Sequence, residues 1–383
     1  MNLNNGETTC KTFSGANGEK EHFLFIKAPG SGAFEDQLKA VEERYAAAQS
    51  SLGLPPGSAV FRRVFLSDVL NQEALVRQSA LADPADPVAL SIVQQPPLPG
   101  GRIALLAYHV QGRAPLSKRR LSPNHVLIEK NGLGHLWSAG LCAGGGAASA
   151  EAQTRAVFAG LTGALESQGG SLEKHCVRTW IYLKNVDVFY QGMVDARREL
   201  FARQGLTADT HYIASTGIEG ACGGRLDLVG LDAYSVLGLD PRQVSYLNAF
   251  DRLCPTKDYN VTFERGTRVA YADRAHHFIS GTASIDAGGG ILHPGDALRQ
   301  LERALENIEA LLKSGKAGMA DLAHLIVYLR DPADLPRVGA YLANNFRDLP
   351  LAAVRGAVCR PGWLVEVEGL AVTPNDEPAL PSF

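Results

Sequence analysis

The 383-residue sequence has no Cys-x-x-Cys pair, no apolar run long enough to cross a bilayer and no basic stripe. Each absence removes a class of protein. The six cysteines, Cys10, Cys142, Cys176, Cys222, Cys254 and Cys359, stand singly, which predicts reduced thiols in a cytoplasmic protein rather than a disulfide framework or zinc ribbon. Lys and Arg number 37 against 40 Asp and Glu, a net charge of -3 with the signs interspersed. Neither nucleic acid nor an anionic membrane is an expected partner on that balance, and a small molecule fits better. No His-x-Asp or His-x-Glu occurs, so the facial triad of a non-haem iron oxygenase has no start, and His276 and His277 point to opposite strand faces. The glycine triples Gly144 to Gly146 and Gly288 to Gly290 lack the dinucleotide fingerprint and the P-loop lysine, and read as loops. No metal or cofactor is expected. Cys359 has no histidine that can be placed beside it, which argues against a nucleophile. Residues 1–21 are polar, without the apolar run of a signal peptide, and their composition predicts a mobile tail.

What the sequence does have is a pattern that recurs three times, at a period close to a small domain. The anchors are Val64-Phe65-Leu66-Ser67, Ile181-Tyr182-Leu183-Lys184 and Val327-Tyr328-Leu329-Arg330, each reading as a buried strand. Apolar positions three and four apart precede each one: Leu38, Val41, Tyr45; Val157, Leu161, Leu165; Leu301, Leu305, Ile308, Leu312. Those are helices with one stripe for a sheet. Upstream strands are Phe23 to Ile26, Leu136 to Gly140 and His277 to Gly281, and downstream come a second helix, clearest over 190–202 and 335–346, and two more strands. The expected class is α+β, with helices on one face of each mixed sheet. Modules are expected over 22–113, the most degenerate, 134–238 and 276–373, joined by connectors at 114–133 and 239–275.

The last strand carries Glu366 and Glu368. Residues two apart in a strand share a face, roughly 6.5 to 7 Å apart. Aligned by eye, their counterparts are Leu105 and Leu228 for Glu366, and Ala107 and Gly230 for Glu368, so one copy alone is acidic. An exposed strand face is the alternative for two glutamates, yet Leu364 and Leu370 share that face. Paired, partly buried carboxyls hold a proton near neutrality. Arg355 stands on the preceding strand with Ala357 and Cys359 alternating toward one side. It reads either as an ion-pair partner of the glutamates or as a fork for a substrate carboxylate. Ser215-Thr216-Gly217 is a turn that can offer donors to an anion. Lys257, Tyr259 and Arg265 place an aromatic among cations, suited to a planar dianion, with a surface linker as the alternative.

The third copy, with Ser280-Gly281-Thr282, Asn307-Ile308, Tyr328-Leu329, Arg355 and Val365-Glu366-Val367-Glu368, resembles the YjgF/RidA family. That resemblance implies trimers with clefts between subunits, here a pseudo-trimer within one chain, and an arginine at 355 that binds a carboxylate. More specifically, Ala214 to Gly220, Cys254 to Gly266 and Val358 to Glu368 are similar to the chorismatases, which split chorismate. On that resemblance Glu368 protonates the enolpyruvyl group and Glu366 adjusts its pKa. Arg355, Tyr212, Thr216, Gly217, Lys257, Tyr259 and Arg265 bind the substrate, and Ala357, with Ala270, influences the ring product. The implied products are pyruvate with 3- or 4-hydroxybenzoate, or a dihydroxycyclohexadiene carboxylate, without a cofactor. A RidA-like enamine or imine deaminase and a non-catalytic metabolite binder are the alternatives, and a monomer is the expected state.

Overall fold

A computed structural model describes residues 4, 6–144, 148–256 and 261–383. Three units follow one another. The first runs β1 (Thr8–Ser14), β2 (Lys20–Lys27), α1 (Phe34–Leu52), β3 (Ala59–Leu66), α2 (Val69–Arg77), β4 (Ala89–Gln94) and β5 (Ile103–Gln111). The second runs β6 (Ser117–Ser122), β7 (His125–Lys130), β8 (Leu133–Cys142), α3 (Ala150–Glu166), the single turn α4 (Leu172–His175), β9 (Cys176–Leu183), α5 (Val186–Arg203), β10 (Ala214–Glu219) and β11 (Val229–Leu237). The third runs β12 (Val244–Tyr246), β13 (Gly266–Ala270), β14 (Arg274–Ala283), α6 (Ala297–Ser314), β15 (Leu322–Leu329), α7 (Leu335–Asn345), β16 (Leu351–Arg355) and β17 (Val365–Pro374).

Each unit makes one mixed sheet, ordered β1-β2-β5-β3-β4, β6-β7-β8-β11-β9-β10 and β12-β13-β14-β17-β15-β16. The parallel pairs are β3 with β4, β9 with β10 and β15 with β16, each bridged by a helix as parallel strands require. The last strand of each unit lies at the sheet centre, between the first-hairpin strand and the anchor. The fold is therefore α+β, three RidA-like modules forming a pseudo-trimer.

Alternation along the strands explains why both faces are apolar. In β2, Leu24 and Ile26 join Val41 and Tyr45 of α1 in one cluster. Phe23 and Phe25 point the other way, into a core that also holds Trp137, Trp180, Tyr234, Phe278 and Val367 from the other two sheets. A strand covered by a helix on one side and by neighbouring modules on the other is buried throughout, so β3, β9 and β17 show almost no polar alternation.

Two expected boundaries are corrected. Residues 8–14 are an edge strand, not a tail, because β1 pairs antiparallel with β2 from Thr8↔Ile26 to Ser14↔Lys20. An edge strand with one wet face needs no apolar run, and the Thr-rich Thr8–Ser14 is β-prone all the same. The segments expected as connectors hold β6 and β7, and β12 and β13, which extend the second and third sheets. The polar Ser117–Ser122 hid its strand behind charges that face solvent.

Candidate functional site

Strand register decides which residues are equivalent. Aligning the anchors at Leu66, Leu183 and Leu329, Tyr328 pairs with Glu366 and Ile326 with Glu368, Tyr182 with Gly230 and Trp180 with Asp232, and Phe65 with Ala104 and Arg63 with Leu106. The counterparts of Glu366 are thus Ala104 and Gly230, and those of Glu368 are Leu106 and Asp232. The equivalences expected from the sequence are off by one residue in the first copy and by two in the second. Leu226-Asp227-Leu228 looks like a strand start but is a turn, where Asp227 accepts from the Gly224 N–H at 2.6 Å. In the first copy an all-apolar strand offers no phase. The second module is therefore acidic too.

Glu368 is 2% exposed, and its oxygens face donors. Arg178 Nη2 donates to Oε2 at 2.6 Å, Trp180 Nε1 to Oε1 at 2.9 Å, Tyr328 OH to Oε1 at 3.1 Å and Arg63 Nη1 to Oε1 at 3.4 Å. The Thr216 hydroxyl also donates to Oε2. Every one of these is a bond that a carboxylate anion accepts. None leaves an oxygen turned to a substrate.

Glu366, two residues away and 5% exposed, is different. Among the described residues no hydrogen bond reaches its carboxyl group. Burial, and then the charge of Glu368, push its pKa up to about 8 against the smaller pull of Arg178 and Arg265. Gly281 on β14 makes the room: a Cβ there would stand 2.2 Å from Glu366 Oε1. The Gly281 N–H instead donates to Thr216 Oγ1 at 2.9 Å.

Glu366 lines a cavity of about 390 Å³ between the second and third modules. Its walls come from α5, β10, β14, the chain before β13 and the loop before β17. Four arginines line it, Arg197, Arg198, Arg265 and Arg360, with Tyr190, Phe263 and Trp363 as aromatic surface. Arg197 is held by Nε donating to Thr262 Oγ1 at 3.0 Å, and Arg265 by Nη2 donating to the Cys254 carbonyl at 2.9 Å. Arg330, directly after β15, forms two 2.9 Å bonds to Asp187 at the start of α5 and also donates to the Val358 carbonyl. This ties two walls together. Cys359 lies at the wall with its pKa pushed up to about 12 by burial and by Glu366, which keeps it a thiol and not a nucleophile.

The expected site residues divide. Glu366, Thr216, Gly217 and Arg265 line the cavity. Thr216 and Gly217 belong to strand β10 and not to a turn, and the Thr216 hydroxyl is occupied by Glu368, by Arg178 at 2.6 Å and by Gly281. Glu368 stands behind Glu366. Arg355 is exposed and does not line the cavity. The strand ends there: Gly356 bonds to Leu329 and Val358 bridges to Ile218, so the expected alternation through Ala357 and Cys359 is broken. Ala357 and Tyr212 pack with the second module's core away from the cavity lining, and Ala270 lies in β13. Lys257 and Tyr259 lie outside the described residues. The sequence reading missed Arg63, Arg178 and Trp180. Arg63 and Arg178 do stand inside two of the anchor strands, but in sequence alone an arginine there suggests a solvent-facing position and not a buried cation.

With this geometry in view, the 3-hydroxybenzoate synthase of Streptomyces hygroscopicus is 30% identical over 243 residues, which is 57% of this chain and 69% of that protein. The chain belongs to the chorismatase family. The crystal structure of a chorismatase superposes with a TM-score of 0.63 over 92% of this chain and 98% of that one, at 18% identity, a likeness of fold. The family model described as Endoribonuclease L-PSP matches residues 267–373, essentially β13 through β17 of this chorismatase-family chain. The 3-aminoacrylate deaminase RutC of Acinetobacter baylyi is 28% identical over 96 residues, 24% of this chain and 76% of that protein. Among the described residues no group of three metal-ligating side chains occurs, and no helix is long and apolar enough to cross a membrane.

Proposed function

We propose that the chain cleaves the enol ether of chorismate, releasing pyruvate and a hydroxybenzoate, with Glu366 as the acid. Family membership supports the substrate, and the name of the Streptomyces relative supports 3-hydroxybenzoate as the ring product. The observation that carries the reading is a buried carboxyl with a raised pKa and no hydrogen bond among the described residues, facing a cavity lined by four arginines. The roles expected for the two glutamates are thereby exchanged: Glu368 is the fixed anion that keeps Glu366 protonated.

Chorismate is a dianion, and guanidinium groups match carboxylates in charge and geometry. Glu366 gives its proton to the enolpyruvyl methylene carbon, forming a C–H bond and an oxocarbenium ion that the new carboxylate stabilises. Attack of the neighbouring ring hydroxyl on the ether-bearing ring carbon breaks that carbon's bond to the ether oxygen, so pyruvate leaves with this oxygen as its ketone and the hydroxyl proton passes to the Glu366 carboxylate. The ring epoxide so formed opens as its oxygen takes up a proton and the ring loses one, giving hydroxybenzoate, and the products together hold the atoms of chorismate. Attack by water instead gives the dihydroxycyclohexadiene carboxylate and pyruvate. Neither route uses an oxidant or a reductant.

Incubation with chorismate, followed by pyruvate assay and chromatography of the ring product, tests the proposal; no pyruvate above background overturns it. Glu366→Gln is expected to lose about 100-fold or more in turnover while folding normally. Because the protonated form is active, kcat/KM is expected to fall as pH rises through about 8. A flat profile to pH 9.5 counts against Glu366 as the acid. Ammonia release from a 2-iminoacid would favour the deaminase reading, for which the match of the third module to RutC speaks. The pseudo-trimer is expected to remain a monomer in solution, which light scattering reads directly.

A further inference from the structure

Glu368 lies within a buried ionic chain, Asp232–Arg63–Glu368–Arg178, that crosses all three modules. Arg63 on β3 of the first module is fully enclosed, and its two terminal nitrogens divide between partners: Nη1 lies 3.4 Å from Glu368 of the third module, Nη2 lies 3.5 Å from Asp232 of the second. Its guanidinium lies over the Trp180 ring, 4.6 Å from the centroid. Asp232 is fixed in turn by donors from Tyr182 OH at 2.9 Å, Ser91 Oγ at 2.5 Å and the Gly140 N–H at 2.8 Å. On the far side Arg178 of the second module bonds Glu368.

We propose that Arg63 and Asp232, neither of which lines the cavity, are positioning residues that set the protonation of Glu366 through Glu368. The charges explain how. Arg63 and Arg178 balance Asp232 and Glu368, two cations against two anions, all buried. Glu366 is the fifth ionisable group and, among the described residues, has no hydrogen-bonded partner, so its ionisation would leave the buried cluster with a net negative charge. The groups that face it are Glu368 from its own strand, Arg178 from β9, Arg265 from the chain before β13, Cys359 from the loop before β17 and Tyr190 from α5. Arg197, Arg198 and Arg360 complete the cavity wall. Arg63 is the first-module cation that bonds to Glu368, and through it that module's charge is placed next to the neighbour of Glu366.

This rests on Glu366 being the acid, and the test separates the two ideas. The position of the high-pH limb of kcat/KM for chorismate is measured in Arg63→Met, Asp232→Asn and the double variant, with near-ultraviolet circular dichroism as the folding control. Removing the cation is expected to move the limb up, removing the anion to move it down, each by roughly half a unit or more. The double variant, which removes a neutral pair, is expected to return it close to the parent. A purely structural role would lower activity in both single variants without displacing the limb in opposite directions, and that result overturns the proposal. Arg63→Lys keeps the charge and is expected to keep the limb in place. If Arg63→Met does not fold, the contrast of Asp232→Asn with Arg63→Lys carries the test. Retained turnover in Glu366→Gln overturns the acid assignment itself, whereas an inactive Glu366→Gln beside unmoved limbs overturns the role of Arg63 and Asp232 alone.

Discussion

Glu366 and Glu368 are two residues apart and share a strand, yet their surroundings give them opposite chemistry. One is surrounded by donors and the other by a cavity. The closest approach at this site is made by Gly281, whose missing side chain is where the Glu366 carboxyl lies. Gly281→Ala is expected to displace that carboxyl and cut turnover by about 100-fold, with little change in melting temperature if the shift is confined to the side chain; turnover within a factor of two of the parent would show that the carboxyl need not lie there. At this scale the sequence was half legible. Period-two alternation put both acids on one face, and Thr216 and Gly217 were reached only as a supposed turn; neither reading could assign roles, because donors to Glu368 come from strands about 150 and 190 residues upstream in the chain. Arg178 was invisible for a related reason. An arginine in a strand suggests a wet face, and only the packing of three sheets makes it an interior cation.

At the scale of elements, α5 carries the cavity wall. It positions Tyr190 and, two turns further on, the adjacent Arg197 and Arg198, and it is tied to the end of β15 through the two Asp187–Arg330 bonds near its first turn. Asp187 is about 40% exposed, so the pair adds little to stability, about 0.5 kcal/mol or less. Its effect is on placement. Asp187→Ala is expected to raise KM for chorismate several-fold with a small effect on kcat, and steady-state kinetics would expose the opposite split. Helix periodicity located α1, α3 and α6 well, because their apolar stripes face one sheet. It located β1, β6, β7, β12 and β13 poorly or not at all. Those outer strands are short or polar, and their pairing with a neighbour, not their composition, makes them strands.

For the whole molecule, the first and third modules are locked together at a second buried cluster. Glu21 of the first module accepts from Arg274 at 2.8 Å and His276 at 3.1 Å of the third, and from Tyr108 OH at 2.5 Å. Burial alone would raise its pKa, but His276, Arg274 and Tyr108 outweigh burial and hold it at about 2. A carboxylate depressed in the folded state contributes stability that is complete above its unfolded value near 4.5 and is lost as pH falls through about 2. The contribution is roughly 3 kcal/mol at neutral pH. Glu21→Gln is therefore expected to melt earlier at pH 7 and to show a shallower loss of stability between pH 4.5 and 2; parallel acid-melting curves would remove Glu21 from this account.

Three identical chains around an axis must present three identical residues at each equivalent place. Here the places equivalent to Arg63 hold Trp180 and Ile326, and those equivalent to Glu368 hold Leu106 and Asp232. A cation, an indole and an alkyl group meeting at one junction is an assortment that symmetry forbids and a single polypeptide permits. The stretch 267–373, which carries the L-PSP family match, is for that reason expected not to retain the site when severed. Cut free, it would keep both glutamates and lose each arginine that bonds to Glu368, so the signature of the family and the means of using it reside in different thirds of the chain.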